Sequence, residues 1–291
     1  MRTIASGIFA CEPHCNQAGA PMRIDQPWQL AMFSKGLKKN LRLKTLKKML
    51  RDLSSDEKCL LVTCGDNNGA MNYRLREFGG SWSWADLEED CIAEMSELLG
   101  EPVHYANDER LPFADGAFQH VIAIDVHEHV DDPISITHEL RRVARPGGNI
   151  LITVPNGDEK KLAVRAKFAL GMTPEAYGHT RIGFTTEEVE SFMRDSSIEP
   201  VKSETYSRFF TEMLELSINF MYVKVLKKGD SDTSEHGEIA PTTEDKLKSV
   251  RKSYRIYALL FPFYWLISRL DFLLFGQEGY CVIVSGHKPP S

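Results

Sequence analysis

Several common signatures are missing from this sequence, and each absence narrows what it can be. No Gly-x-Gly-x-x-Gly run follows an apolar strand, so the plain dinucleotide fingerprint is lacking. No His-Glu-x-x-His spacing and no paired Cys-x-x-Cys motif occurs, and no metal site is expected. Cys11-Glu12-Pro13-His14-Cys15 has no second ligand pair, so it reads as a loop with two ordinary thiols. Six cysteines in 291 residues are too few and too scattered for a disulfide framework. Positive charge is short as well: 35 Lys and Arg against 41 Asp and Glu leave a net charge of −6, which argues against general nucleic-acid binding. The first fifteen residues hold one basic residue and only a brief apolar run, a poor signal peptide, so a reducing cytoplasm is expected.

What is present is an alternation of short apolar runs and helical patterns. Strands are predicted at 59–63, 81–85, 103–106, 120–125 and 149–154, with helices over 70–78, 90–99, 133–144 and 186–195 between and after them. This rhythm predicts an α/β, Rossmann-like doubly wound fold. Its sheet is expected to be mostly parallel and seven-stranded, with an N-terminal helix and an α-helical insertion or cap before the last strand at 280–286. The expected organisation is an irregular segment and basic helix over 1–53, a core over 54–225, a polar linker and apolar helix over 226–276, and a last core strand and tail over 277–291.

Two segments raise the question of a membrane. Over 35–51, eight Lys and Arg residues surround leucines at three- and four-residue spacing; the helix either solvates a cationic face or lies on anionic lipid. Residues 256–275 are about as long as a bilayer-spanning helix, but Pro262, Arg269 and Asp271 interrupt them and a strand follows closely. A buried cap over a substrate pocket and an interfacial helix stay open as readings.

A ligand site is predicted at the carboxyl ends of the strands. After the first strand comes Thr63-Cys64-Gly65-Asp66-Asn67-Asn68-Gly69, a Gly-containing turn into a helix N-terminus. Asp86 ends the second strand about twenty residues on, where an acid accepts hydrogen bonds from ribose hydroxyls. A plain helix cap is the alternative.

The pieces ANDERLPFADGAFQHVIAIDVHEHVDDP and RRVARPGGNILITVPN resemble class I S-adenosylmethionine-dependent methyltransferases, in particular the small-molecule and lipid branch that includes ubiquinone- and menaquinone-pathway enzymes. The resemblance runs from about Cys59 to Val189 and implies S-adenosyl-L-methionine as cofactor. It implies donor contacts from Cys64, Gly65, Asp66, Asn67 and Gly69 in the first turn, from Asp86 and Leu87, and from Asp125. In that family a Leu-Pro-Phe turn after the third strand lies beside adenine, and Asn107, Asp108 and Glu109 match it. The sequence departs from the family's Asp-x-Gly-x-Gly-x-Gly turn: Leu61 and Thr63 replace the first Asp and first Gly, Asn67 stands near the third Gly, and Gly69 is displaced by two.

For the chemistry, His129 sits where the family often has a histidine, and His127 is an addition of this sequence. Either could be a base or a structural hydrogen-bonding group. His179 is the preferred base, with Tyr177 and Arg181 beside it for an acidic or phosphorylated substrate group. The leading expectation is methyl transfer to a small or lipid- or glycan-linked acceptor, at oxygen. A scaffold with a degenerate donor site and an NAD-dependent oxidoreductase are the alternatives. Peripheral membrane contact is expected through 35–51 and 256–275, at the inner face of a membrane.

Overall fold

A computed structural model describes residues 27–65, 68–171, 180–221 and 244–290. A seven-stranded sheet forms its centre, in the order β3-β2-β1-β4-β5-β7-β6. The strands are β1 Leu53–Thr63, β2 Gly79–Asp86, β3 Val103–Tyr105, β4 Phe118–Ile124, β5 Ala144–Pro155, β6 Glu199–Tyr206 and β7 Cys281–His287. All neighbouring pairs are parallel except that β7 runs antiparallel to both β5 and β6. Central strands read as unbroken apolar runs because both faces are covered: Cys59 through Val62 and Val121 through Ala123 are fully buried. β6 lies at the edge of the sheet. Its polar alternation, Glu199-Pro-Val-Lys-Ser-Glu-Thr-Tyr, is that of an edge strand with one face in water.

Helices α1 (Trp28–Phe33), α2 (Leu37–Leu50), α3 (Ala70–Arg76) and α4 (Ile92–Leu99) bring side chains to one core cluster, with Leu46, Leu61, Leu75, Trp84 and Met95. Helices α5 (Pro133–Val143) and α7 (Thr186–Asp195) supply the other, with Ile136, Leu140 and Val189 against Leu60, Val121 and Ile150. Both have sequence-encoded starts. Asp132 caps α5 by accepting from Ile134 and Ser135 N–H with Pro133 at the first position, and Thr185 and Glu188 form a reciprocal capping box on α7. Helices α6 (Leu162–Ala169), α8 (Phe209–Met221) and α9 (Glu244–Ser268), the last followed by a 3-10 segment Arg269–Leu274, form a further layer.

The one basic helix expected within 1–53 is two helices, broken at Ser34-Lys35-Gly36. The apolar segment 256–275 is not a buried cap: its side chains from Ile256 to Phe275 are largely exposed. Strand order reverses direction between β1 and β4, so the crevice for a ligand opens at their carboxyl ends.

Candidate active site

That crevice is lined by Thr63 and Cys64 at the end of β1, Asn68 and Met71 at the start of α3, Ile124 and Asp125 at the end of β4, and Phe33, Lys39 and Arg42 from the N-terminal helices. Two glycines here are required by the chain's own conformation and packing. Gly65 has φ +62°, and a Cβ there would fall 2.9 Å from Glu88 Cδ. Gly69, at φ +81°, starts α3 and packs on Met95, where a Cβ would come within 3.2 Å of the Met95 backbone.

Asp86 ends β2 as expected, but its carboxylate is engaged within the chain. Oδ1 accepts from Gly65 N–H at 2.8 Å and from Glu88 N–H at 2.9 Å, while Thr63 Oγ1 donates to Oδ2 at 2.5 Å. Burial raises its pKa, and these three hydrogen bonds oppose that rise. A carboxylate offers about four lone-pair directions, so roughly one is left for a ribose hydroxyl. Accepting a second requires Thr63 to turn away. Glu88 lies over Gly65, half-buried, and is a second acid within reach of the same space.

Asn107 is exposed and accepts from Arg110 N–H at 2.7 Å through Oδ1, so its carbonyl closes its own turn. Asp108 beside it is half-buried and Glu109 exposed, while Leu87 packs against the core with its N–H on Thr63 O at 2.9 Å. Cys64 is buried, and burial pushes its thiol pKa upward, so it is a neutral packing group.

At the end of β4, Asp125 holds a left-handed backbone (φ 49°) and pairs with Arg42, whose Nη2 lies 2.8 Å from Oδ1 and 2.6 Å from Oδ2. Arg42 Nε also donates to the Tyr206 hydroxyl at 2.8 Å, which is 3.0 Å from Thr153 Oγ1. Burial works against the Arg42 charge, but Asp125 together with Tyr206 and Cys281 outweighs it, holding the guanidinium firmly protonated. Thus a helix 83 residues upstream closes one wall of the crevice with a buried ion pair.

His127 is not placed as a base. It is fully buried and bonded through Nε2 to Thr137 Oγ1 at 3.1 Å; because that hydroxyl donates to Pro133 O at 2.6 Å, His127 is the donor. Burial lowers its pKa to about 3, so it stays neutral and pins the turn to α5. His129 is half-buried in the same turn, its N–H on Val126 O at 3.0 Å. Glu128 between them is fully buried, and neither carboxyl oxygen has a hydrogen-bond partner. Burial, then the neighbouring Asp125 charge, raise its pKa, which keeps it protonated.

Arg181 does not reach the crevice: it lies 4.4 Å over the Phe184 ring and 3.5 Å from Glu188, half exposed. Thr180 docks on the histidine turn, its Oγ1 donating to Glu128 O at 3.0 Å. The candidates Asp66, Asn67, Tyr177 and His179 lie outside the described residues. Among the described residues no cluster of three His, Cys, Asp or Glu is placed to hold a metal ion.

Arg42, Glu88, Glu128 and Tyr206 were not singled out by sequence reasoning. For Arg42 a signal existed: it shares the buried stripe of α2 with Leu46 and Leu50 at four-residue spacing, and a cation on an apolar stripe demands a partner.

Residues 60–152 match the family described as "Methyltransferase domain". The chain carries a methyltransferase domain of the class I, S-adenosylmethionine-dependent type. The match covers the Gly65 turn, Asp86, Asn107 and the Asp125–His129 turn. Ubiquinone biosynthesis O-methyltransferase from Methylococcus capsulatus is 29% identical over 150 residues, 48% of this chain and 59% of the relative. The protein of the same name from Pseudomonas paraeruginosa is 25% identical, over 47% of this chain and 62% of the relative. The alignments thus span about three-fifths of these relatives' length.

Among solved structures, geranyl diphosphate C-methyltransferase from Streptomyces coelicolor superposes with a TM-score of 0.52 at 12% identity, over 86% of this chain and 76% of that one. The [4+2]-cyclase SpnF gives 0.53 at 16%, over 86% and 82%. Such distant likeness shows the fold alone, and the second case shows that the fold does not dictate the reaction.

Proposed function

We propose that this protein transfers a methyl group from S-adenosylmethionine to an oxygen of a small or lipid- or glycan-linked acceptor, in the cytoplasm or at the inner face of a membrane. The observation that carries this reading is the methyltransferase-family match over 60–152, which contains the acid at the end of β2 and, at the end of β4, Asp125 of the crevice wall. The free, buried state of Cys59, Cys64, Cys91 and Cys281 supports a reducing compartment. The relatives named as O-methyltransferases support oxygen as the acceptor atom.

The residues fit the donor, with one adjustment. Gly65 turns the backbone at φ +62° with Glu88 packed over it, Asp86 keeps about one lone pair for ribose, and Asp108 is half-buried at the adenine turn. When bound, the donor supplies an electrophilic methyl on a sulfonium. The chain's part is then alignment and exclusion of water, which supply most of the acceleration for an in-line displacement. Arg42 and Asp125 fix the wall near the β4 end, and Phe33, Met71 and Ile124 keep it apolar. His129 is the histidine best placed among the described residues to take the acceptor's proton, since it is half-buried while His127 is locked in the interior.

The Thr63–Asp86 hydrogen bond favours one second reading, a scaffold whose donor site has closed. Calorimetric titration with S-adenosylmethionine, S-adenosylhomocysteine and NAD separates the cases. Binding of the first two supports the methyltransferase, binding of NAD alone refutes it, and no binding of any supports the closed scaffold.

A further inference from the structure

The segment Tyr254–Leu274 is long and apolar enough to cross a bilayer by length and composition, yet both of its ends are tied to one folded body. Near its start, the Tyr254 hydroxyl donates to Ala31 O at 3.1 Å and the Tyr257 hydroxyl donates to Lys35 O, both in the α1–α2 region. Near its end, Asp271 accepts from Arg208 N–H at 3.0 Å and Phe210 N–H at 2.8 Å, capping the start of α8. The one acid inside the apolar stretch therefore serves the protein and is not offered to lipid. A helix held at both ends by the same domain lies along that domain and does not thread a membrane.

Its two faces differ in what they meet. Tyr254, Tyr257, Phe261, Tyr264, Ser268 and Asp271 recur at three- and four-residue steps and are buried or half-buried. The outward side chains Leu259, Phe263, Leu266, Phe272, Leu273 and Phe275 are between 58 and 84% exposed. An apolar patch of that extent on a water-facing helix marks an interaction surface. Charge decides what covers it. Between 244 and 275 the sequence holds six basic residues (Lys246, Lys248, Arg251, Lys252, Arg255, Arg269) and three acids, one of them Asp271, in a chain whose net charge is −6. Arg255 and Arg269 are exposed, and Arg269 lies 4.7 Å over the Trp265 ring, a cation held on an aromatic of the kind that sits at headgroup level. A second copy docked by two-fold symmetry on this face would bring the same cations together, whereas anionic headgroups neutralise them.

We propose that the outward face of α9 and the turn after it bind an anionic lipid bilayer, with the helix in the plane of the interface and the methyltransferase domain standing on the membrane. The full chain is tested by flotation with vesicles of phosphatidylcholine alone and of phosphatidylcholine mixed with phosphatidylglycerol. Binding to the mixed vesicles is expected to be roughly tenfold tighter or more and to weaken with salt. The triple variant Leu259→Glu, Phe263→Glu, Leu266→Glu is expected to lose it while keeping the wild-type unfolding temperature, because those side chains face water. In the unaltered fold, brominated acyl chains should quench fluorescence that disappears in Trp265→Phe. Failure of the wild type to float, equal flotation of the triple variant, or a dimer that the variant dissociates without any vesicle binding would overturn the proposal. Neither measurement involves methyl transfer, so its outcome is independent of the donor titration.

Discussion

Replacing Thr63 by valine should move stability and donor affinity in opposite directions. Valine keeps the β-branched shape that the end of β1 packs, and removes only the hydroxyl that donates to Asp86 Oδ2 at 2.5 Å. A hydrogen bond to a charged acceptor is worth about 1.5–3 kcal/mol, so the free protein should lose stability of about that size or somewhat less. The same bond must be given up when a second ribose hydroxyl is accepted, because Gly65 and Glu88 N–H already occupy Oδ1. Its cost is therefore subtracted from donor affinity in the wild type. Removing it should tighten S-adenosylhomocysteine binding by roughly ten- to a hundred-fold, at about 1.4 kcal/mol per factor of ten. Isothermal titration gives the affinity and urea unfolding the stability, on the same preparations. Weaker or unchanged binding by Thr63→Val, with stability lowered, would show that Thr63 helps hold the donor, and the lone-pair count on Asp86 would be wrong.

The buried pair of Arg42 and Asp125 should be costly to break from one side. Arg42→Met leaves a largely buried carboxylate uncompensated and is expected to destabilise by about 3–5 kcal/mol, with a clearly smaller loss in the double variant with Asp125→Asn; additive losses in a double-mutant cycle would deny the coupling. His127 should govern part of the acid stability. Its folded pKa of about 3 lies below the ordinary 6.5, so only the unfolded chain takes the proton between those values, and stability is full above 6.5 and falls as pH drops. From pH 6.5 to 5 this single group should remove about 2 kcal/mol, at about 1.36 kcal/mol per unit. His127→Gln, which can still donate to Thr137, should lose that slope in urea titrations across the range; an unchanged slope would place the proton elsewhere.

The sheet was legible because its central strands are continuous apolar runs ended by glycine, asparagine or aspartate turns, a pattern that both-faces burial imposes. β6 was less so, since an edge strand such as Glu199–Tyr206 needs only one buried face and its composition is that of a loop. The site was legible in position but not in state. Asp86 was found from its place at the end of β2, yet its hydrogen bond to Thr63 comes from strand pairing: the two residues are register partners on adjacent parallel strands, 23 residues apart. The Arg42–Asp125 pair spans 83 residues and obeys no local spacing. His127 and His129 look alike in the sequence, and only the folded turn sends one inward to Thr137 and leaves the other half-buried.

A charge run in the sequence leaves open which partner its cations take, for a physical reason. The basic helix over 35–51 invited a lipid-facing reading, and five of its eight cations have partners within the protein. Lys38 reaches Glu212 at 3.2 Å, Arg42 reaches Asp125 and Lys48 reaches Glu204 at 2.7 Å, while Lys35 and Lys47 lie over the rings of Phe261 and Phe78. Burial would raise the Glu212 pKa, but Lys38 and Lys167 outweigh it and hold it near 2, so this acid stays ionised and keeps α2, α6 and α8 joined. A cation with a buried carboxylate at hand gains more from that partner than from a screened headgroup at the end of a Debye length. Arg255 and Arg269, by contrast, are exposed beside the apolar face of α9. Helix α2 thus closes one wall of the crevice, and α9, for which a cap and an interfacial helix were both open readings, carries the exposed apolar face.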